Sequence, residues 1–367
     1  MQLETVPLSG NSASKERKIT FIIGNGFDLG LGMKTKYTHV YDGYIKSPSP
    51  TAVIKLFKEE LARKAKNNYE NWSDFEMGMA AYAQTLENEK ELVECVRDFK
   101  LYMVEHLQNE NQKMIDLLQN KANNYEVIQE MVRSLDKFYE GLTQNDISLL
   151  NLGSTKRVVK NFITFNYTTV FDTLLKEALR FYSINGNEPI HIHGMLGAGI
   201  VMGVDNVRQL GKTKFKLSVS GKRAFIKTHF NEEYDANLLE TVRRIISESS
   251  IICVYGFSMG DSDETWVKAI SEWLLKDDRN QLIVYQYDTP HCNPCNYDEI
   301  MDIEDERKEG LLNRLGIEND SVLDQIHIPV GRDIFNLQHL ISRTPDDIDE
   351  YDPTKTYGRE NFVVNFS

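Results

Sequence analysis

A chain of 367 residues, 41% hydrophobic and 26% charged, has the composition of a soluble globular protein, long enough for one large α/β domain with insertions or for two domains. A net charge of −13 argues against broad electrostatic binding to nucleic acid or to an anionic membrane. No apolar run reaches the ~18 residues a membrane span needs, and the opening MQLETVPLSGNSASKERK lacks the apolar core of a signal peptide, so a cytoplasmic location is expected.

Residues 1–17 are polar and Ser-rich and read as a flexible N-terminus. Lys18 to Ile23 is a β-branched and aromatic run that predicts a buried strand. It leads straight into Gly24-Asn25-Gly26-Phe27-Asp28, with further glycines at Gly30 and Gly32. A strand ending in close glycines before a helix is how α/β proteins cradle a phosphate, because backbone N–H groups and the helix N-terminus face the ligand. The spacing departs from G-x-G-x-x-G, and the same pattern fits a tight strand-to-helix turn that binds nothing.

Ser47-Pro48-Ser49-Pro50 ends this unit. From Thr51 to about Leu142 the chain has no proline, almost no glycine and apolar residues at helical spacing, which predicts a helical insertion over residues 51–150. Strand character returns at Val158 to Phe165, Pro189 to Gly194, Gly197 to Val204, Ser250 to Tyr255, Gln281 to Tyr287 and Val322 to Ile328. Helices are expected at 168–182, 234–248, 263–275 and 298–315, and the Lys- and Arg-bearing stretch Lys212 to Lys227 reads as a hairpin or mobile loop. Residues 345–367 form an acidic C-terminal extension. Strands alternating with helices predict an α/β fold: a Rossmann-like parallel sheet with helices on both faces, formed by residues 18–50 and 151–344. Cys95 and Cys253 read as reduced core residues. His291-Cys292-Asn293-Pro294-Cys295 lacks a second ligand pair, so a turn is the better reading and no zinc is expected.

Ligands of such sheets bind beyond the carboxyl ends of the strands. Four strand ends here are unusually polar: Gly24 to Asp28, Thr164-Phe165-Asn166-Tyr167-Thr168, His191-Ile192-His193-Gly194, and Gly256-Phe257-Ser258-Met259-Gly260-Asp261. Singly, Asn166, Ser258 and Asp261 fit helix caps and His193 fits a satisfied core histidine. Together they place Asn, His, Ser and Gly groups at one sheet edge, as a binding site requires.

Gly24-x-Gly26-Phe27, the Thr-x-Asn-Tyr segment at Thr164 to Tyr167, His193-Gly194 and Gly256-Phe257-Ser258-Met259 resemble motifs of sirtuins and Sir2-like proteins. A closer resemblance, over roughly residues 18 to 290, is to the AbiH family of bacterial abortive phage infection proteins. It rests on the I-I-G-N-G-F-D-L start, on Thr35-x-Tyr37, and on Trp72-x-Asp74-x-Glu76. The resemblance implies antiphage defence by a protein that binds a nucleotide such as NAD and cleaves its nicotinamide–ribose bond. Asn166 and His193 would then be catalytic. Gly24, Asn25, Gly26, Phe27, Asp28, Thr35, Tyr37, Gly256, Ser258 and Asp261 would bind the cofactor, and Trp72, Asp74 and Glu76 would form a lid. NAD would be substrate, a phage component or partner defence protein would be the trigger, and a homo-oligomer is expected; neither membrane nor nucleic acid is. Two departures stand out: Thr168 follows Asn166-Tyr167 where Sir2-like defence proteins carry Asp, and Asp28 stands where sirtuins carry a small polar residue. The alternatives are a Mg²⁺-dependent nuclease built on Asp28, Asp74 and Glu76, and a nucleotide sensor without catalysis.

Overall fold

The computed structural model describes residues 16–67, 74–119, 124–152, 157–182, 184–234, 236–286, 296–330 and 333–342. The chain begins with β1 (Arg17–Ile23) and the short α1 (Gly26–Gly30). Six helices follow before the next strand: α2 (Tyr37–Lys46), α3 (Ala52–Ala65), α4 (Phe75–Ala83), α5 (Glu89–Gln119), α6 (Asn124–Asp136) and α7 (Gln144–Leu149). Next come β2 (Val158–Thr164), α8 (Val170–Tyr182), β3 (Ile190–His191) and a small ladder of β4 (Gly194–Met195) with β5 (Gly199–Ile200). Helices α9 (Val219–Phe225), α10 (Lys227–Tyr234) and α11 (Ala236–Glu248) precede β6 (Ile251–Tyr255) and α12 (Glu264–Lys276). The described chain closes with β7 (Gln281–Tyr285), α13 (Tyr297–Leu315), β8 (Ile326–His327) and α14 (Gln338–Ser342).

Six strands form one sheet in the order β3-β2-β1-β6-β7-β8, and every pairing in it is parallel. This is the Rossmann-like arrangement the alternation predicts, and the strand order reverses between β1 and β6. Alternate residues of β1 serve opposite faces. Ile19, Phe21 and Ile23 join a core with Met114 and Leu118 of α5, Met131 of α6 and Phe171 of α8. Ile22 joins Ile163, Ile252 and Val254 in a core with Ile270 of α12 and Leu311 of α13.

The helices between β1 and β2 do not pack as one unit over the sheet end. Tyr41, Tyr44, Phe57, Phe75 and Phe99 make a separate core with Ile200, Met202 and Phe225, whereas the far half of α5 and α6 lie on the sheet. The reason is α5 itself: its 31 residues contain neither Gly nor Pro, so it runs unbroken for roughly 46 Å and serves both cores.

The segment from Lys212 to Lys227 is not a hairpin. Ser218 caps α9 by accepting from Gly221 N–H, and Phe215, Leu217 and Phe225 pack against the helical core. Those contacts outweigh its surface-like charge. Residues 197–204 contribute only β5, outside the main sheet. Free Cys95 and Cys253 are buried. Trp72, the Cys292 and Cys295 pair, and the C-terminal extension lie outside the described residues.

Candidate functional site

The two loops at the strand-order reversal touch. A Cβ on Gly26 would stand 2.4 Å from Gly256 Cα, and one on Gly24 would stand 2.5 Å from Gly256 O. Gly24 N–H donates to Tyr255 O and Gly26 N–H to Gly256 O, both at 2.9 Å. The glycines thus answer a close backbone approach, and these two amide hydrogens are spent within the protein. Helix α1 has five residues and builds little of a macrodipole. Asn25 turns sideways: the Thr35 hydroxyl donates to its Oδ1 at 2.6 Å, and its Nδ2 donates to Thr35 O at 3.2 Å. Phe27 is a core ring set edge-on to Phe171.

Parallel register brings the other strand ends level. Ile23 lies opposite Thr164 and Tyr255, and Thr164 lies opposite His191. Two buried polar clusters follow from this.

The first surrounds Asp28. The Thr168 hydroxyl donates to Asp28 Oδ2 at 2.7 Å. The Asn166 amide faces the same carboxyl, yet neither its Nδ2 nor its Oδ1 completes a hydrogen bond, and Asp28 Oδ1 is left open too. Asn166 is 4% exposed and Asp28 1%. Burial pushes the Asp28 carboxyl up to about 7, against the opposing pull of Thr168 and Asn166. Behind them, His191 Nδ1 lies 2.9 Å from Asn166 O and Nε2 lies 2.9 Å from Asp172 Oδ1. Burial works against the imidazolium, but the Asp172 contact outweighs it and holds His191 above its usual value.

The second cluster joins the sheet to the helical insertion. Asp74 caps α4 by accepting from Met77 N–H at 3.1 Å, which puts Glu76 in the first turn. The other Asp74 oxygen receives the Ser262 hydroxyl at 2.9 Å. The Tyr37 hydroxyl donates to Glu76 Oε1 at 2.8 Å. Lys227 Nζ donates to Ser262 O and to Asp263 Oδ1, both at 3.0 Å, and stands 3.7 Å from Glu76 Oε1. Asp263 Oδ1 in turn lies 3.1 Å from His193 Nε2. The His193 ring is set edge-on to Phe165, at 5.3 Å and 87°, and Phe165 stacks on Phe257.

The buried Lys227 cation balances the half-buried Asp263 anion at close range. Burial alone would raise Asp263, but Lys227 and His193 outweigh it and hold the carboxylate ionised, well below its usual range. Burial likewise pushes Glu76 up to about 8; the more distant Lys227 opposes this and Asp74 adds to it. Burial and the Lys227 charge lower His193 against the pull of Asp263, so its imidazole is neutral at pH 7.

Adjoining this cluster at Asp74, a groove of about 960 Å³ runs between α3, α4 and the loop after β6, lined among others by Arg63, Lys64, Asp74, Ser258, Gly260, Asp261 and Arg314. Ser258 and Asp261 are exposed on it. Asn166 and His193 are not among its lining residues. The three carboxylates of a possible metal centre divide: Asp28 meets Thr168, while Asp74 and Glu76 meet Ser262 and Tyr37. Among the described residues, no group of three or more His, Cys, Asp or Glu is placed to hold a metal ion.

Lys227 and Asp263 escape a reading by sequence. The available signal for Lys227 is its place directly after Phe225-Ile226, an apolar pair. Asp263 follows Asp261 at a helix start, where a cap explains it equally well.

A six-stranded, all-parallel sheet in this order, flanked by helices, defines a Rossmann-like α/β protein. Residues 20–285 match the family model for bacteriophage abortive infection AbiH, and the chain belongs to that family. Its role is therefore in abortive infection, a defence against bacteriophage. No curated protein matches the chain. Among the described residues, no helix is long and apolar enough to cross a membrane.

Proposed function

We propose that the chain acts in abortive infection by binding a nucleotide such as NAD at the carboxyl edge of the sheet and cleaving its nicotinamide–ribose bond. One observation carries this reading: the Asn166 amide, buried at 4% exposure, faces Asp28 but completes no hydrogen bond of good geometry with it, and Asp28 Oδ1 stays open. Buried polar groups without partners are costly, and ribose hydroxyls or a water are suited to complete them. Breaking the bond builds oxocarbenium character on the ribose. Asn166 positions the ribose or the attacking water, and neutral His193, whose Nε2 faces Asp263 at 3.1 Å, serves as general base or bonds a ribose hydroxyl. Ser258 lies on the groove by which the phosphates approach. The Gly24 and Gly26 amides are engaged elsewhere, so the glycine loop contributes shape more than donors. Loss of NAD halts the infected cell, which gives abortive infection its physical sense.

Incubation of purified protein with NAD, followed for nicotinamide release, tests the proposal; release by wild type and none by Asn166→Ala supports it. Burial of Asn166 and His193 away from the groove favours a second reading, a nucleotide sensor without catalysis. Tight NAD binding with the dinucleotide recovered intact would select that reading.

A further inference from the structure

We propose that Lys227 is the positioning residue of this site: it holds Asp263 as the anionic partner of His193 and ties both to Glu76 of the helical insertion. This rests on the reading of His193 as a working group of the site. The geometry has three parts. Lys227 is 4% exposed and begins α10, between the Phe225 and Ile226 core positions and the rest of that helix. Its backbone N–H is fixed to Val204 O at 2.9 Å. Its Nζ reaches two segments distant in sequence, Ser262-Asp263 after β6 and Glu76 of α4. One ammonium thus joins a sheet-end loop to the insertion, and His193 reads its presence through Asp263.

The groups facing each member are few. His193 meets Asp263 and the Phe165 and Tyr167 rings, with Lys227 one contact further. Lys227 feels Asp263, Glu76 and Asp74, and acts in turn on Asp205, which is hydrogen-bonded to Thr265. Glu76 also meets the Tyr37 hydroxyl. Burial works against the Lys227 charge, but Asp263 and Glu76 more than restore it.

Removing the ammonium changes who carries charge. In Lys227→Met, of similar length, the half-buried Asp263 carboxylate loses its nearest cation. His193, 3.1 Å away, then takes up a proton in its place. The imidazole therefore titrates at a higher pH than in wild type. Asp263→Asn does the reverse: it removes the anion that favours imidazolium and leaves the Lys227 charge, so His193 titrates lower. A variant that merely loosened the packing would let water reach the ring and move both substitutions upward, toward the ordinary value.

The test is an NMR titration of the His193 ring in the full chain, assigned by difference from His193→Ala, alongside nicotinamide release against pH. The expected result is an upward shift of about one pH unit or more in Lys227→Met and a downward shift in Asp263→Asn. The acid limb of the rate profile should move with the titration, since protonated His193 is not a base. An unchanged His193 midpoint in folded Lys227→Met, or shifts of the same sign in the two variants, would overturn the proposal. Absence of nicotinamide release from wild type would overturn the NAD reading alone, because the titration still decides the role of Lys227. If Lys227→Met does not fold, Lys227→Gln, which keeps a donor toward Ser262 O without the charge, decides it: an unmoved or lowered His193 midpoint sinks the assignment.

Discussion

Gly26 and Gly256 meet backbone to backbone, so closely that a Cβ on Gly26 would lie 2.4 Å from Gly256 Cα and one on Gly256 would lie 2.5 Å from Gly26 Cα. Two parallel neighbours, β1 and β6, diverge here to opposite halves of the sheet, and their loops seal the crevice between them. Gly256 also has φ +67°, a conformation side chains resist. Either residue changed to alanine is expected to cost about 3 kcal/mol or more, because neither neighbour is a flexible side chain that can yield. Urea unfolding measures this. A change below about 1 kcal/mol in both variants would mean that the loops separate readily, and that the glycines serve a ligand after all.

The two raised carboxyls give a pH signature of definite sign. Glu76 is raised to about 8 and Asp28 to about 7, so between the unfolded values and these pH values the folded chain binds more protons than the unfolded one. Stability is then greatest in mild acid and falls as pH rises toward 7 to 8, at a slope of about 1.4 kcal/mol per pH unit for each proton. Glu76→Gln keeps the acceptor for Tyr37 and is expected to flatten its share of the slope while leaving stability near pH 5 almost unchanged. Asp146 works in the opposite window. Burial opposes it, but His327 and Thr143 hold it down at about 2, so its contribution is lost as pH falls from its usual range through that value. Thermal melts from pH 2 to 9 check both signs; a Glu76→Gln slope equal to wild type would refute the Glu76 assignment.

Much of this was legible because parallel strands end level and polar residues at strand ends have few structural uses. Lys18 to Ile23 declares β1 through its unbroken apolar run, and Asn166 and His193 stand out for closing such runs with polar groups. Glu76 was reachable through resemblance, since nothing in Asp74-Phe75-Glu76 distinguishes a helix start from a site. Lys227 was hidden for a physical reason: a lysine beside Lys212, Lys214, Lys216 and Lys222 is read as surface, and only tertiary burial separates it from them. Asp263 is a partner of Lys227 and becomes visible only once that lysine is placed. The glycine loop reads two ways in the sequence, because close backbone packing and phosphate binding ask for the same residue.

Ser258 offers a way to test the groove without disturbing the core. It is exposed on the groove wall, so Ser258→Leu is expected to change stability by no more than about 0.5 kcal/mol. The added branch narrows the route, and NAD affinity measured by calorimetry should fall about tenfold or more under the proposed function. Unaltered affinity would move the phosphates elsewhere, toward Arg63 and Lys64 on the other wall.

The last test separates chemistry from folding at Asn166 and His193. Asn166 reaches only the Asp28 carboxyl and completes no hydrogen bond of good geometry with it, so Asn166→Ala is expected to cost no more than about 1 kcal/mol. His193→Ala loses ring packing on Phe165 and leaves Asp263 to Lys227 alone, with an expected cost of about 1–2 kcal/mol. Against these small structural costs, loss of a positioned base or water-orienting amide lowers rate a hundredfold or more, on the order of 3 kcal/mol in the barrier. Both variants should therefore melt near wild type while cells expressing them survive and keep their NAD. Toxicity retained by both would end the cleavage mechanism. Toxicity lost with NAD unchanged in wild type and variants alike would instead assign these residues to nucleotide sensing.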